Sequence, residues 1–82
     1  MEEVKEQMRK FLENNFAKTR WPFISKVIFK SHFPEHTEEA LNELFKEGVV
    51  FQRQGLNSLL IQFIDTDVKR ERVRQYYIKI NS

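Results

Sequence analysis

Val4, Met8, Phe11, Leu12 and Phe16 recur at the spacing of three and four that lines one face of a helix, so residues 2–16 are predicted as amphipathic and helical. Glu2 and Glu3 suit the positive end of its dipole, Glu6 and Lys10 form an i,i+4 pair, and Asn14-Asn15 marks its expected end. Arg20-Trp21 is expected to supply a brief strand, with Trp21 as a lid on the core. Pro22 suits the first turn of a second helix, in which Phe23, Ile24, Val27 and Ile28 face inward and Lys26 and Lys30 outward. Phe29 falls off that stripe. Ser31 to His36 breaks the period, and Pro34 pushes Phe33 out of helical geometry. Thr37 is the expected N-cap of a third helix, Thr37 to Glu47, with Ala40, Leu41, Leu44 and Phe45 on its apolar face and Gly48 as its stop.

Beyond Gly48 the period changes from helix to strand. Val49 to Arg53 reads as one strand, Gln54-Gly55-Leu56-Asn57 as a turn, and Ser58 to Ile64 as a second strand. Leu59, Ile61 and Phe63 alternate there against Leu60 and Ile64, so both faces of that strand need cover. Asp65-Thr66-Asp67 is a capping cluster. After it, Val68, Arg72, Val73, Tyr76, Tyr77 and Ile80 form a helical stripe, with Lys69, Arg70 and Arg74 pointing elsewhere; residues 76–80 read as helix or strand. The expected architecture is α+β and a single domain over residues 1–82. It has a three-helix core with a two- or three-stranded antiparallel hairpin unit (residues 2–64) and a helical extension (residues 65–80).

Composition changes this picture little, and charge changes it more. No cysteine is present, which excludes disulfides and thiolate metal sites. The acidic start and the lack of a long apolar run argue for a cytoplasmic protein without a membrane span. The net charge of +2 is too small to announce a nucleic-acid ligand by itself. Its distribution is uneven. Lys18, Arg20, Lys26 and Lys30 are the charged residues of positions 17–34, whereas Glu35, Glu38, Glu39, Glu43 and Glu47 outweigh Lys46 over positions 35–48.

The run Leu44-Phe45-Lys46-Glu47-Gly48-Val49-Val50, with the element order around it, resembles the winged-helix superfamily over residues 2–64. The resemblance implies a recognition helix at Thr37 to Glu47 whose outward residues, Glu38, Glu39, Asn42, Glu43 and Lys46, would enter a major groove. Asn42 could pair with adenine and Lys46 with guanine. Three glutamates beside them oppose a backbone whose affinity comes from neutralised phosphates, so ordinary groove reading by this helix is not expected. A narrower set, Met1-Glu2-Glu3, Phe11-Leu12 and Phe33-Pro34, is similar to the small D protein family of dissimilatory sulfite reductase, also free-standing winged helices. The basic segment after Asp65 has no counterpart in that resemblance.

Catalysis has little support in the residues. His32 and His36 are separated by Pro34 and do not share a helix face; no Ser-His-Asp set or phosphate-cradling glycine loop is present, and neither a cofactor, a metal site nor a small-molecule substrate is expected. The chain reads as a regulatory binding protein. Duplex DNA is the first expected partner, held by the second helix and the hairpin through Lys18, Arg20, Lys26, Lys30, Gln52, Arg53 and Asn57. The rival expectation is a protein partner, or a homodimer through Leu56, Leu60, Ile64, Tyr76, Tyr77 and Ile78. Lys69, Arg70, Arg72 and Arg74 form another basic group, diluted by Glu71.

Overall fold

A computed structural model describes residues 2–82; Met1, part of the narrower resemblance, lies outside them. The chain runs α1 (Glu2–Thr19), β1 (Phe23–Ser25), α2 (Lys26–His32), α3 (Thr37–Lys46), β2 (Val50–Gln54), β3 (Leu59–Phe63) and α4 (Asp67–Ile80). The strands form one antiparallel sheet in the order β1-β3-β2, with Phe23 opposite Gln62 and Gln62 opposite Phe51. This is an α+β domain of four helices and a three-stranded sheet, as expected at that level. Residues 76–80 are helical.

The core lies between one face of the sheet and the first three helices. Met8 and Leu12 of α1, Phe29 of α2, and Ala40, Leu41 and Leu44 of α3 close over Val49, Val50, Ile61 and Phe63. Gly48 makes the corner between α3 and β2. Its φ of +81° is left-handed, its N–H bonds to Phe45 O at 3.0 Å, and Val49 N–H bonds to Leu44 O at 2.8 Å. These are the paired bonds of a Schellman cap, which satisfy carbonyls the helix would otherwise leave open. The backbone of α4 passes so close that a Cβ on Gly48 would lie 2.3 Å from Arg70 O.

Several local expectations are corrected. Helix α1 runs through Asn14-Asn15 to Thr19, because Phe16 in its last turns packs on Phe63 (ring centroids 5.6 Å apart) and rewards the extension. It stops where Arg20 turns left-handed, with φ of 61°. The first strand is Phe23–Ser25, not Arg20-Trp21. Pro22 stands beside the edge of a sheet, where the missing N–H costs nothing, and its carbonyl accepts from Phe63 N–H at 2.7 Å. The apparent stripe Phe23, Ile24, Val27, Ile28 therefore spans two elements. In the short α2 the core residue is Phe29, while Val27 and Ile28 are 71% and 52% exposed. Trp21 is no core lid, at 62% exposed.

At the start of α3 the N-cap is His36, left-handed with φ of 58°, and Thr37 is the first helical residue. The Thr37 hydroxyl is buried and donates to Phe33 O. On α4 the inward side is Arg70, Val73, Arg74 and Tyr77, whereas Val68, Arg72, Tyr76 and Ile80 are exposed. Arg70 Nε donates to Ile64 O at 2.8 Å and Arg74 Nη1 to Glu47 O at 3.1 Å, so two residues expected to point away instead anchor the helix.

Candidate functional site

Alternation along β2 and β3 gives the sheet an inner and an outer face, and this decides which candidate residues can act together. On the inner-face side, Lys26 at the start of α2 reaches Glu38 of α3 (Nζ to Oε1, 2.8 Å) and donates to Gln52 Oε1 of β2 at 3.1 Å. These contacts leave its side chain only 17% exposed. Lys26, Val27 and Lys30 border a depression of about 390 Å³ with Glu38, Ser58 and Leu59. Helix α2 and the start of β3 thus share one face. Asn57 is exposed at the tip of the turn.

The rest of the expected basic set does not assemble there. Arg53 follows Gln52 in β2 and lies on the outer face, where its Nε donates to Gln62 Oε1 and its guanidinium sits 5.3 Å from the Phe51 ring. Lys18 and Arg20 are exposed at the end of α1, with the Arg20 guanidinium 5.9 Å from the Phe16 ring. Among the described residues neither shares a hydrogen bond or ion pair with α2.

The outward side of α3 is acidic in space as well as in sequence. Glu38, Glu39, Asn42 and Lys46 are exposed and Glu43 is half-buried. Glu38 is engaged by Lys26, and Glu39 lies 3.5 Å from His36 Nδ1. Glu47 belongs to the scaffold: Lys5 of α1 meets one carboxylate oxygen at 2.6 Å and Arg9 meets the other. Hydrogen bonds from Lys5 to Glu47, and then to Glu2, push the Lys5 ammonium well above its ordinary pKa. Sequence reasoning missed this buried lysine, although positions 5, 8 and 12 share a helix face and carried the signal.

A second concave surface was not anticipated as a unit. Helix α4 covers one end of the outer sheet face, leaving a groove of about 380 Å³ between them. Phe51, Arg53 and Gln62 line it from the sheet, and Lys69, Arg72 and Tyr76 from the helix. Tyr76 packs edge-on against Phe51 at 5.6 Å, and across the sheet Trp21 lies 5.5 Å from Phe23. The expected dimer seam is divided by the same packing: Ile64 is buried and Leu60 and Tyr77 half-buried, while Leu56, Tyr76 and Ile78 are exposed.

His32 stacks on Phe11 at 4.9 Å, and among the described residues no three metal-ligating side chains converge. No described helix is long and apolar enough to cross a membrane. No family model matches the chain, and none of the curated proteins or solved structures compared with it matches significantly.

Proposed function

We propose that this chain is a non-catalytic winged-helix module of regulatory character, which acts by binding a protein through α2 and the β2–β3 turn. The fold assignment is supported by the order α1-β1-α2-α3-β2-β3 and the strand order β1-β3-β2. One observation carries the choice of partner. The cation best placed on that face, Lys26, is already held by Glu38 and Gln52, while Val27 and Leu59 stand open to water beside it. An apolar strip rimmed by one free lysine fits a protein surface better than a phosphate backbone.

Duplex DNA on the same face is the second reading. It is favoured by the shared border of Lys30 with Ser58, which brings helix and hairpin to one side. Two measurements separate them. Titration with duplex DNA at low salt, where electrostatic contact is strongest, is expected to show no binding tighter than micromolar by this face. Affinity capture from source cells is expected to retain a protein that Val27→Asp releases and Lys18→Glu does not. Tight duplex binding abolished by Lys26→Glu with Lys30→Glu would overturn the protein reading in favour of DNA.

A further inference from the structure

The outer face of the sheet carries a row of side chains that are only partly covered by the fold. Cross-strand partners share a face, so the register Phe23–Gln62–Phe51 sets two aromatic rings on the outer strands and one amide between them. With strands about 4.8 Å apart, the two rings are about 10 Å from each other. Each is extended by a more exposed ring, Trp21 at 62% beyond Phe23 and Tyr76 at 47% beyond Phe51. The groove at the Tyr76 end is rimmed by Arg53, Lys69 and Arg72 and has no carboxylate in its lining. Lys69 has one distant partner, Asp65 at 3.5 Å; Arg53 and Arg72 form no ion pair among the described residues. An aromatic row with a cluster of cations at one end, two of them without an ion pair among the described residues, matches a chain with flat apolar units on an anionic backbone.

We propose that this outer face binds single-stranded nucleic acid, independently of the α2 surface. Bases stack on Trp21 at one end of the row and on Tyr76 at the other, while Arg53, Lys69 and Arg72 hold the phosphates at the Tyr76 end. Gln62, fixed by Arg53 at the centre, offers its amide N–H to a base edge. A groove of about 380 Å³ bordered on one side by α4 suits one strand better than a duplex. An acidic peptide would satisfy the cations and leave both exposed rings unused.

Trp21 is the sole tryptophan and lies in the row, so the protein carries its own reporter. Single-stranded oligothymidylate of about eight nucleotides, the scale of a small single-domain site, is the probe. Saturable quenching of Trp21 fluorescence at low salt is expected, with a duplex of the same length at least about tenfold weaker. Labelled oligothymidylate, followed by anisotropy, should lose about tenfold in affinity to Trp21→Ala and more to Arg53→Ala with Arg72→Ala. Circular dichroism checks that these exposed substitutions leave the fold intact. Lys26→Glu with Lys30→Glu should leave the affinity unchanged, which separates this site from the α2 face. No saturable binding at low salt, equal affinity for duplex, or equal displacement by polyglutamate would overturn the proposal.

Discussion

At the scale of single residues, Gly48 is the position where the backbone itself is committed. Its φ of +81° would cost an L-residue about 1–2 kcal/mol, and an added Cβ has Arg70 O at 2.3 Å in its way. Since that obstacle is backbone, α4 must move. Gly48→Ala is expected to lower stability by at least about 2 kcal/mol in urea unfolding and to loosen α4 first. A loss within about 0.5 kcal/mol would mean the corner is not strained. Phe29 and Ile28 give a paired test one residue apart. Phe29 is fully buried, so Phe29→Ala should cost about 3–5 kcal/mol, whereas Ile28→Ser on the open side should stay within about 0.5 kcal/mol. The sequence pattern alone ranked them in the opposite order, because helical spacing cannot show that Phe23 and Ile24 belong to a strand. Gly48 was legible for the converse reason: a glycine directly after a periodic helix and before a β-branched run has one common use.

At the scale of elements, local signals held where an element's own chemistry bounds it and failed where tertiary packing does. The β2–β3 hairpin and α3 follow from turn residues and period. The extension of α1 past two asparagines depends on Phe63, some fifty positions away, which no local window sees. Helix α4 is the least committed element, with no buried residue and attachment through Arg70, Arg74, Tyr77 and the Thr66 cap. The Thr66 hydroxyl accepts from Lys69 N–H at 3.3 Å, so Thr66→Ala should cost about 1 kcal/mol. Amides of α4 should exchange with deuterium through local opening, well before those of Leu41 and Leu44. The helix also carries an acid sensitivity. Glu71 accepts from Gln75 and pairs with Arg74, which lowers its carboxyl pKa below the ordinary 4.5. Its contribution is therefore present above about pH 4.5 and lost as pH falls through the folded value. Helicity of α4 should fall on acidification, and less steeply in Glu71→Gln. Lys5 acts oppositely: its raised pKa keeps its contribution whole below 10.5, so raising the pH from 7 to 9 should not loosen the α1–α3 junction through this lysine.

For the whole molecule, the arrangement of charge matters more than the net +2. The radius of gyration, 12.1 Å, is close to the roughly 11.7 Å of a compact chain this long, so surfaces distant in sequence lie within a Debye length or two of each other. Lys26 answers Glu38 across α2 and α3, while Arg53, Lys69 and Arg72 gather at the opposite face of the sheet. The sequence listed these cations but could not sort them, since Gln52 and Arg53 are neighbours that the pleat sends to different faces. Sorting them turns salt dependence into a count. A single strand neutralised by Arg53, Lys69 and Arg72 releases about 0.7 counterion per phosphate, so log affinity against log salt should slope at about −2. A duplex on Lys26 and Lys30 would release about 0.9 per phosphate and slope at about −1.8, or about −0.9 if Glu38 keeps Lys26. Removing Arg72 should bring the single-strand slope toward about −1.4 and leave a duplex slope as it was. A single-strand slope that ignores the loss of Arg72 and flattens in Lys26→Glu with Lys30→Glu would place the phosphates on the α2 side of the molecule.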